Sequence, residues 1–272
     1  MQNFKSTPRE LVCNFWRNRG LIASLTQREV IGRYKGSALG IVWSFFNPLL
    51  MLTVYTFVFS VVFKARWTST SESKTEFALI LFTGLIIFNL FAECISRAPS
   101  LILGNANYVK KVVFPLEILP WVVMWSAMFH FFISLLVWLC FYLLFFGMPH
   151  ATALLIPLVL LPLVFFTMGI SWLLASLGVY LRDTAQIIGV LIACLMFLSP
   201  IFYPASSLPA DFQYFLRLNP LTPAIELARD LLVWGKPPDW PLLFVYYLAS
   251  GLVAWCGFAW FQKTRKGFAD VV

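Results

Sequence analysis

Residues 118–181 contain no Asp, Glu, Lys or Arg, and this uncharged stretch of 64 residues most constrains how the chain can fold. A bilayer core about 30 Å thick is crossed by about 20 apolar helical residues, so the stretch is too long for one crossing. The turn sequence GMPH at 147–150 divides it into two helices, 118–146 and 151–181. Only 12% of the whole chain is charged, whereas soluble domains carry about 25%. The sequence therefore predicts an all-α integral membrane protein.

Gaps between charged residues predict four further crossings. The first spans 36–63, where 28 uncharged positions follow the basic residues Arg28, Arg33 and Lys35. The others lie at about 77–96, 185–203 and 240–262. Six crossings place both termini on one side of the membrane. The segments then assigned to the cytoplasm hold 14 of the 20 Lys and Arg residues, which predicts that both termini are cytoplasmic.

The remaining segments divide the chain further. Residues 1–35 form a cytoplasmic N-terminal segment, 204–239 an external segment within the 36–262 membrane domain, and 263–272 a cytoplasmic tail. The inner loop 97–117 mixes apolar and basic residues, which predicts a structured element at the membrane surface.

The N-terminal segment predicts an amphipathic helix that lies flat on the inner leaflet. Thr7 and Glu10 form a capping box, an apolar face includes Phe15 and Trp16, and Gly20 is expected to end the helix. Such a helix is either a membrane anchor alone or a docking surface for a partner, and the residues favour neither.

The external segment predicts two short helices. They start near Pro209 and at Thr222-Pro223, and the second ends near Gly235. Each is too short to span the membrane, so we expect re-entrant helices that dip into the outer leaflet and return.

The motifs that the sequence lacks argue against an enzyme. It has no phosphate-binding G-x-x-x-x-G-K-[ST] loop, no HExxH motif and only two histidines. The five cysteines are widely scattered, which is typical of buried free thiols rather than of a metal site. We therefore expect no metal or cofactor in this chain, and an external source of energy.

Few polar features lie within the predicted crossings. Glu93 is the one acid there, and Arg97 at i+4 is expected to pair with it, with a proton relay as the less favoured role. Gly32, Gly36 and Gly40 stand four apart, a spacing that suits a dimer contact or a close crossing within the chain. The abundant aromatic residues face either lipid or a conduit in which rings stack on sugars.

Several segments together resemble one family. The segments REVIGRYKGSALGIVWSFFNPLL, NANYVKKVVFPLEILP, YLRD, LSPIFYP, LNPLTPAIELARDLL and RKGFADVV occur in this order along nearly the whole chain. They are similar to the membrane permease of bacterial ABC type-2 exporters, in the branch that moves lipid-linked polysaccharides such as O-antigen, capsule or teichoic acid. The resemblance implies a homodimer in the bacterial inner membrane, with ATP and Mg bound by a separate ATPase subunit.

The resemblance also implies roles for particular residues. A basic mouth would receive the anionic lipid headgroup: Arg28, Arg33 and Lys35. Aromatic rows would line the conduit: Trp43, Phe46, Tyr55, Phe59, Phe197, Phe202 and Tyr203. The ATPase would act on Phe15, Trp16, Asn105, Asn107, Tyr108, Lys110 and Lys111. The external gate would include Phe212, Phe215, Glu226, Arg229 and Asp230.

Two alternatives remain beside export of a lipid-linked polysaccharide. The same architecture suits an exporter of small lipophilic compounds or of lipid alone. A membrane-embedded glycosyl- or phosphotransferase acting on a polyprenyl substrate is the remote alternative, because the sequence offers few acids and histidines that could converge on a reaction centre.

Overall fold

The computed structural model describes residues 6–58, 67, 74–110 and 114–271, and the regular elements among them are all helical. The α-helices are α1 Pro8–Tyr34, α2 Trp43–Thr56, α3 Lys74–Arg97, α4 Ala106–Val109, α5 Leu119–Phe145, α6 Ile156–Tyr180, α7 Thr184–Leu198, α8 Ala210–Leu218, α9 Leu221–Leu232, α10 Trp240–Thr264 and α11 Phe268–Val271. Short 3-10 turns join several of them, including Gly40–Val42 before α2 and Ala205–Ser207 before α8.

Among the residues that the structure describes, four helical segments are long and apolar enough to cross a membrane, which confirms the prediction of a helical integral membrane protein. They are Thr75–Ser100, Leu116–Phe145, Ala151–Tyr180 and Trp240–Val271. The other two predicted crossings contain shorter apolar helices, Gly40–Thr56 and Thr184–Leu198.

The first helix does not end at Gly20, contrary to the sequence prediction. Thr7 caps α1 by accepting a hydrogen bond from the Glu10 backbone N–H, and the helix then continues to Tyr34. A glycine inside a helix costs only about 1 kcal/mol relative to alanine. The helical residues on both sides of Gly20 outweigh that cost, so α1 extends through most of the N-terminal segment and includes Arg28 and Arg33.

The glycine row is not a face of one helix. Gly32 lies in α1, but Gly36 and Gly40 have φ angles of 85° and 52°, and they turn the chain between α1 and α2. Glycine adopts such angles without the steric cost that a Cβ imposes. The predicted close crossing along this row is therefore wrong, because a helix cannot continue through these two residues.

Helix α3 forms the centre of the bundle. It packs against α2, α5, α6, α7 and α9, and from Phe77 to Phe91 every residue except Asn89 is buried. Its one internal hydroxyl is satisfied, because Thr83 Oγ1 donates to the Leu79 carbonyl and accepts from Trp138 Nε1, both at 2.9 Å. Asn89 is the one exposed residue in this range of α3.

Helices α6 and α10 approach each other closely at two glycines. A Cβ placed on Gly257 would collide with the backbone of Gly169, and one on Gly169 would collide with the backbone at Val253. Small residues allow this approach, and dispersion forces between the two backbones then stabilise the pair. Gly251 also lies on α10, but a Cβ added to it would meet no other atom within 4 Å.

We expect Gly257→Ala to lower the free energy of unfolding by about 1–3 kcal/mol, because the added methyl group must push two helix backbones apart. Thermal unfolding of the detergent-solubilised protein measures the effect. Gly251→Ala is the matched control and should leave the melting temperature unchanged or slightly raised. Equal stability of the two variants would contradict the close packing of α6 and α10.

Two short helices are present in the predicted external segment. Helix α8 follows Pro209, α9 begins at Leu221, one residue before the predicted start, and Gly235 has a φ of 64° beyond its end. Thr152 Oγ1 donates to the Leu231 carbonyl at 2.7 Å. This bond places the end of α9 beside the turn between α5 and α6, at the end of the bundle where α3 begins.

Candidate functional site

A partly buried ionic cluster joins α1, α3 and α5. Arg33 Nη2 lies 2.6 Å from Glu93 Oε1, and His130 Nδ1 donates to Glu93 Oε2 at 3.0 Å. With Nδ1 protonated, His130 Nε2 accepts from the Tyr34 hydroxyl at 3.0 Å. The cluster therefore neutralises Glu93 and fixes the end of α1 against the two membrane helices.

The predicted pair of Glu93 with Arg97 is wrong. Arg97 pairs instead with Glu29 of α1, while Glu93 pairs with Arg33. A pair at i and i+4 on a helix surface contributes only about 0.2–0.5 kcal/mol. Packing of α1 against the bundle offers both residues partners on another helix, and these contacts prevail.

A cavity of about 680 Å³ opens from this cluster, and we call it the central cavity. Its walls come from the end of α1 and from α2, α3, α5 and α7. Beyond Arg33, Glu93 and His130 the described residues of its lining are uncharged. Apolar side chains such as Met51, Leu85 and Ile192 alternate there with aromatic, amide and hydroxyl groups: Trp43, Ser44, Asn47, Tyr55, Asn89 and Ser134. Phe82 and Leu85 also line the cavity from α3, and Asn89 is the polar side chain that the middle of this helix contributes.

The structure brings together some of the predicted conduit aromatics. Trp43 and Tyr55 line the central cavity, and the Tyr55 ring lies 5.9 Å from Phe202. Phe202 in turn lies 5.7 Å from Phe197, whose carbonyl accepts a hydrogen bond from the Tyr203 hydroxyl.

Two other aromatics of that group are not placed there. Phe46 is exposed, contacts Phe45 edge-on and lies outside the lining of the central cavity. Phe59 lies outside the described residues.

A second cavity of about 530 Å³ lies on another side of α1, and we call it the basic cavity. It is lined by Arg28, Arg33 and Arg97, with Glu29 as its acid. The predicted coupling residues Asn105 and Tyr108 complete its wall. Two predicted headgroup residues thus share a cavity with part of the predicted coupling loop, whereas Lys35 is exposed at the end of α1 and lines neither cavity.

The other predicted coupling residues differ in exposure. Trp16 is 60% exposed, whereas Phe15 packs on Trp121 with ring centroids 4.7 Å apart. Asn107 and Lys110 are exposed, and Lys111 lies outside the described residues. Tyr108 stacks on Phe114 with centroids 4.2 Å apart, so the loop around it is packed, as the sequence predicted.

Glu117 joins the N-terminal helix, the coupling loop and the C-terminal segment. Its carboxylate accepts from Asn14 Nδ2 at 2.6 Å and pairs with Arg265, which also donates to the Phe114 carbonyl at 2.9 Å. Glu117 and Asn14 are both buried. Sequence reasoning missed this contact because its members lie far apart in the chain.

Arg229 lies inside the protein rather than on an external face. It is 4% exposed and donates to the carbonyls of Ile80 at 3.2 Å, Ile201 at 2.9 Å and Pro200. Its guanidinium also lies 4.3 Å from the ring centre of Trp67. Three backbone carbonyls thus accept hydrogen bonds from Arg229, contacts that the sequence did not reveal.

The other predicted gate residues surround this buried arginine. Glu226 and Asp230 line a third cavity together with Arg229 itself, and we call it the α9 cavity. Phe212 is exposed on α8. The side chain of Phe215 lies outside the part of the chain that the structure describes.

Comparison with known proteins identifies the family. The sequence profile of the ABC-2 type transporter family matches residues 20–233. The chain belongs to this family. Permeases of this family are transport subunits and not enzymes in themselves. The chain is a multi-pass membrane protein.

Several relatives match over most of their length. The O-antigen export system permease protein RfbA of Myxococcus xanthus is 29% identical over 96% of this chain and 99% of its own. The protein of the same name from Klebsiella pneumoniae is 28% identical over 93% and 95%. The polysialic acid transport protein KpsM of Escherichia coli is 23% identical over 79% and 81%. The predicted resemblance to the polysaccharide branch is confirmed.

Several members of the site were not predicted from the sequence, among them Asn89 and His130. Asn89 and His130 are single polar residues within long apolar stretches, and such residues in membrane helices generally face a partner or a cavity. That signal could have identified both residues, but it does not reveal which partner each one meets.

We expect Arg229→Lys to destabilise the protein by about 1–3 kcal/mol for each buried carbonyl left without a donor, because a lysine cannot reproduce the planar guanidinium. Thermal unfolding in detergent measures the loss. Arg182→Lys, at an exposed position, is the control and should melt like the wild type. An unchanged melting temperature for Arg229→Lys would contradict the structural role of Arg229.

Proposed function

We propose that this chain is the membrane-spanning permease of an ATP-driven exporter of lipid-linked polysaccharide, such as O-antigen, in the bacterial inner membrane. The observation that carries the proposal is the central cavity. It begins at an arginine-containing cluster and continues along aromatic, amide, hydroxyl and apolar groups, without further charge among the described residues. Rings and neutral hydrogen-bonding groups suit a glycan, whereas an ion-coupled pump requires ionisable groups in its path.

Six crossings with both termini in the cytoplasm complete the proposal. The shorter helices, Gly40–Thr56 and Thr184–Leu198, reach about 22–26 Å at 1.5 Å per residue, slightly less than the hydrocarbon core. Irregular backbone at their ends is tolerated at membrane depth where it faces protein or a water-filled path. Both helices border the central cavity, so this condition can be met.

A second copy of the chain would close the open side of the central cavity. The exposed faces of α2 and α7 carry large apolar side chains, including Met51, Val54, Ile187, Val190 and Leu191. Apolar faces beside an open, polar-lined cavity suit a homodimer in which two such cavities form one conduit. In the same proposal, α8 and α9 are re-entrant helices at the external end of this conduit.

The basic cavity is proposed to receive the anionic headgroup of the lipid carrier. Its arginines Arg28 and Arg97 lie beside the loop residues Asn105 and Tyr108. Arginine binds phosphate oxygens through paired, charge-assisted hydrogen bonds. Because headgroup and coupling residues share this cavity, a movement of the loop would reach the bound headgroup directly.

A separate ATPase subunit, which binds ATP and Mg, is proposed to supply the energy. The exposed residues Trp16, Asn107 and Lys110 offer it a contact surface. The Glu117 contact connects the N-terminal helix, the loop and the C-terminal segment behind that surface. A push on any one of the three would therefore move the others.

We expect Asn89→Leu to reduce export of the lipid-linked glycan about tenfold or more, because it replaces the polar group that α3 presents to the cavity with an apolar one. Surface glycan in a deletion strain complemented with each variant measures export. Leu144→Ala, at an 80% exposed position on α5, is the control and should export normally. Full export by Asn89→Leu, or export that continues when the ATPase is inactivated, would contradict the proposal.

We expect Lys110→Ala combined with Lys111→Ala to leave membrane insertion intact and to weaken the link to the ATPase. The variant should show less ATPase subunit on co-purification or less glycan-stimulated ATP hydrolysis, whereas Asn89→Leu should retain the bound subunit. Normal ATPase binding together with full export in the double variant would exclude a coupling role for these lysines.

A further inference from the structure

The α9 cavity has a volume of about 460 Å³ and lies among α8, α9, the 204–206 segment and Trp67. This volume falls within the ~300–1,000 Å³ range of small-molecule sites. It shares no lining residue with the central cavity, among those that the structure describes. The conduit proposed above therefore does not account for it.

One stripe of α9 supplies the polar side of this cavity. Thr222, Glu226 and Asp230 are spaced four residues apart, and Trp234 continues the row just beyond the helix. Residues at this spacing lie on one helix face. The helix thus directs one hydroxyl, two carboxylates and an indole ring into the same space.

The hydroxyl of Thr222 has an unmet hydrogen-bonding requirement. Thr222 is 5% exposed, and its Oγ1 has no hydrogen-bond partner among the described residues. Threonines deeper in helices, such as Thr83 and Thr167, donate to the carbonyl four residues earlier. Thr222 stands at the second position of α9, and the carbonyl four residues earlier belongs to Leu218 of another helix, α8. A buried hydroxyl without a partner is costly, so an occupant of the cavity that bonds to it would be stabilised.

The second wall adds an amide and another aromatic ring. Gln213 of α8 donates through Nε2 to the Leu208 carbonyl at 2.8 Å, which fixes its side chain at the edge of the cavity. Trp67 is held by the guanidinium of Arg229. Both groups are therefore positioned by contacts within the protein before any ligand arrives.

This set of groups matches a saccharide better than an ion. Arg229 also lines the cavity, but it bonds to three backbone carbonyls, and the two carboxylates outnumber it, which disfavours an anion. The described residues contain no group of three or more His, Cys, Asp and Glu that could hold a metal ion. Carboxylates and amides accept hydrogen bonds from sugar hydroxyls, and indole rings pack on the C–H face of a sugar. A threonine hydroxyl can donate to or accept from the same ligand.

We propose that the α9 cavity is a saccharide-binding subsite that holds one or two sugar residues of the glycan as it leaves the conduit. This inference rests on the proposed function, because it requires the chain to handle a glycan. It assigns Thr222 and Asp230 as hydrogen-bonding groups and Trp234 as a stacking surface. The subsite would retain the emerging end beside the short helices and oppose its return.

Binding of free oligosaccharide to the purified permease–ATPase complex in nanodiscs tests the subsite. The probe is the oligosaccharide released by mild acid from the lipid-linked glycan of the bacterium that makes this protein, followed by tryptophan fluorescence and saturation-transfer NMR. We expect Thr222→Val and Asp230→Asn each to weaken binding about fivefold to tenfold, the loss of one or two hydrogen bonds. Trp234→Phe, which keeps a smaller ring, should weaken it less than Trp234→Ala.

Thr53→Val is the matched control, because the Thr53 hydroxyl donates to the Leu49 carbonyl of its own helix and lines neither cavity. The melting temperature of each variant first shows whether it is folded. If Thr222→Val does not fold, Asp230→Asn alone tests the loss of oligosaccharide binding. Binding that is equal in wild type, Thr222→Val and Asp230→Asn would overturn the subsite. Export of glycan in cells without binding of the released oligosaccharide would overturn the subsite and leave the proposed function intact. Equal export of glycan by cells with and without this protein would refute both.

Discussion

The pairing of Glu93 is the interaction on which the arrangement of the site depends. An unpaired carboxylate within a membrane helix is costly, so the bundle must supply partners. It does so with Arg33 from α1 and His130 from α5, at 2.6 and 3.0 Å. The same contacts hold the end of α1 against the membrane helices and form one end of the central cavity. Neutralising one acid therefore positions the N-terminal helix, the basic cavity beside it and the start of the proposed conduit.

At the opposite end of α3, a buried arginine has a comparable role. Arg229 bonds to carbonyls of Ile80 and of the segment after α7, where backbone groups lack helical partners. A Cβ on Gly84 would lie 2.8 Å from the Arg229 guanidinium, so a glycine at this position makes room for it. Helix α9 is thereby fixed to the centre of the bundle. This attachment gives α9 a rigid base from which Thr222, Glu226 and Asp230 face their own cavity.

Local features of the sequence predicted the elements well, and contacts between distant residues were the part that it could not reveal. Runs without charge located the four long helices, and proline and glycine located α8 and α9, because bilayer thickness and backbone geometry act on neighbouring residues. The pairs Glu93–Arg33 and Glu117–Arg265 join residues 60 and 148 positions apart, which only packing brings together. Gly20 and Gly36 illustrate the same limit, since the first continues a helix and the second turns the chain.

The distribution of charge along α3 also bears on how a glycan could move. No ionisable side chain occurs from Phe77 to Ala92, and the polar lining of the central cavity beyond its ionic end consists of amides and hydroxyls. Charge-assisted hydrogen bonds are roughly twice as strong as neutral ones, so ionic groups along the path would hold a sugar chain in place. Neutral groups and rings bind each sugar weakly and alike, and the chain can then advance one residue at a time. Such a path has no preferred direction of its own. In the proposed function the direction comes from the headgroup held at one end, retention at the other and energy supplied by the ATPase.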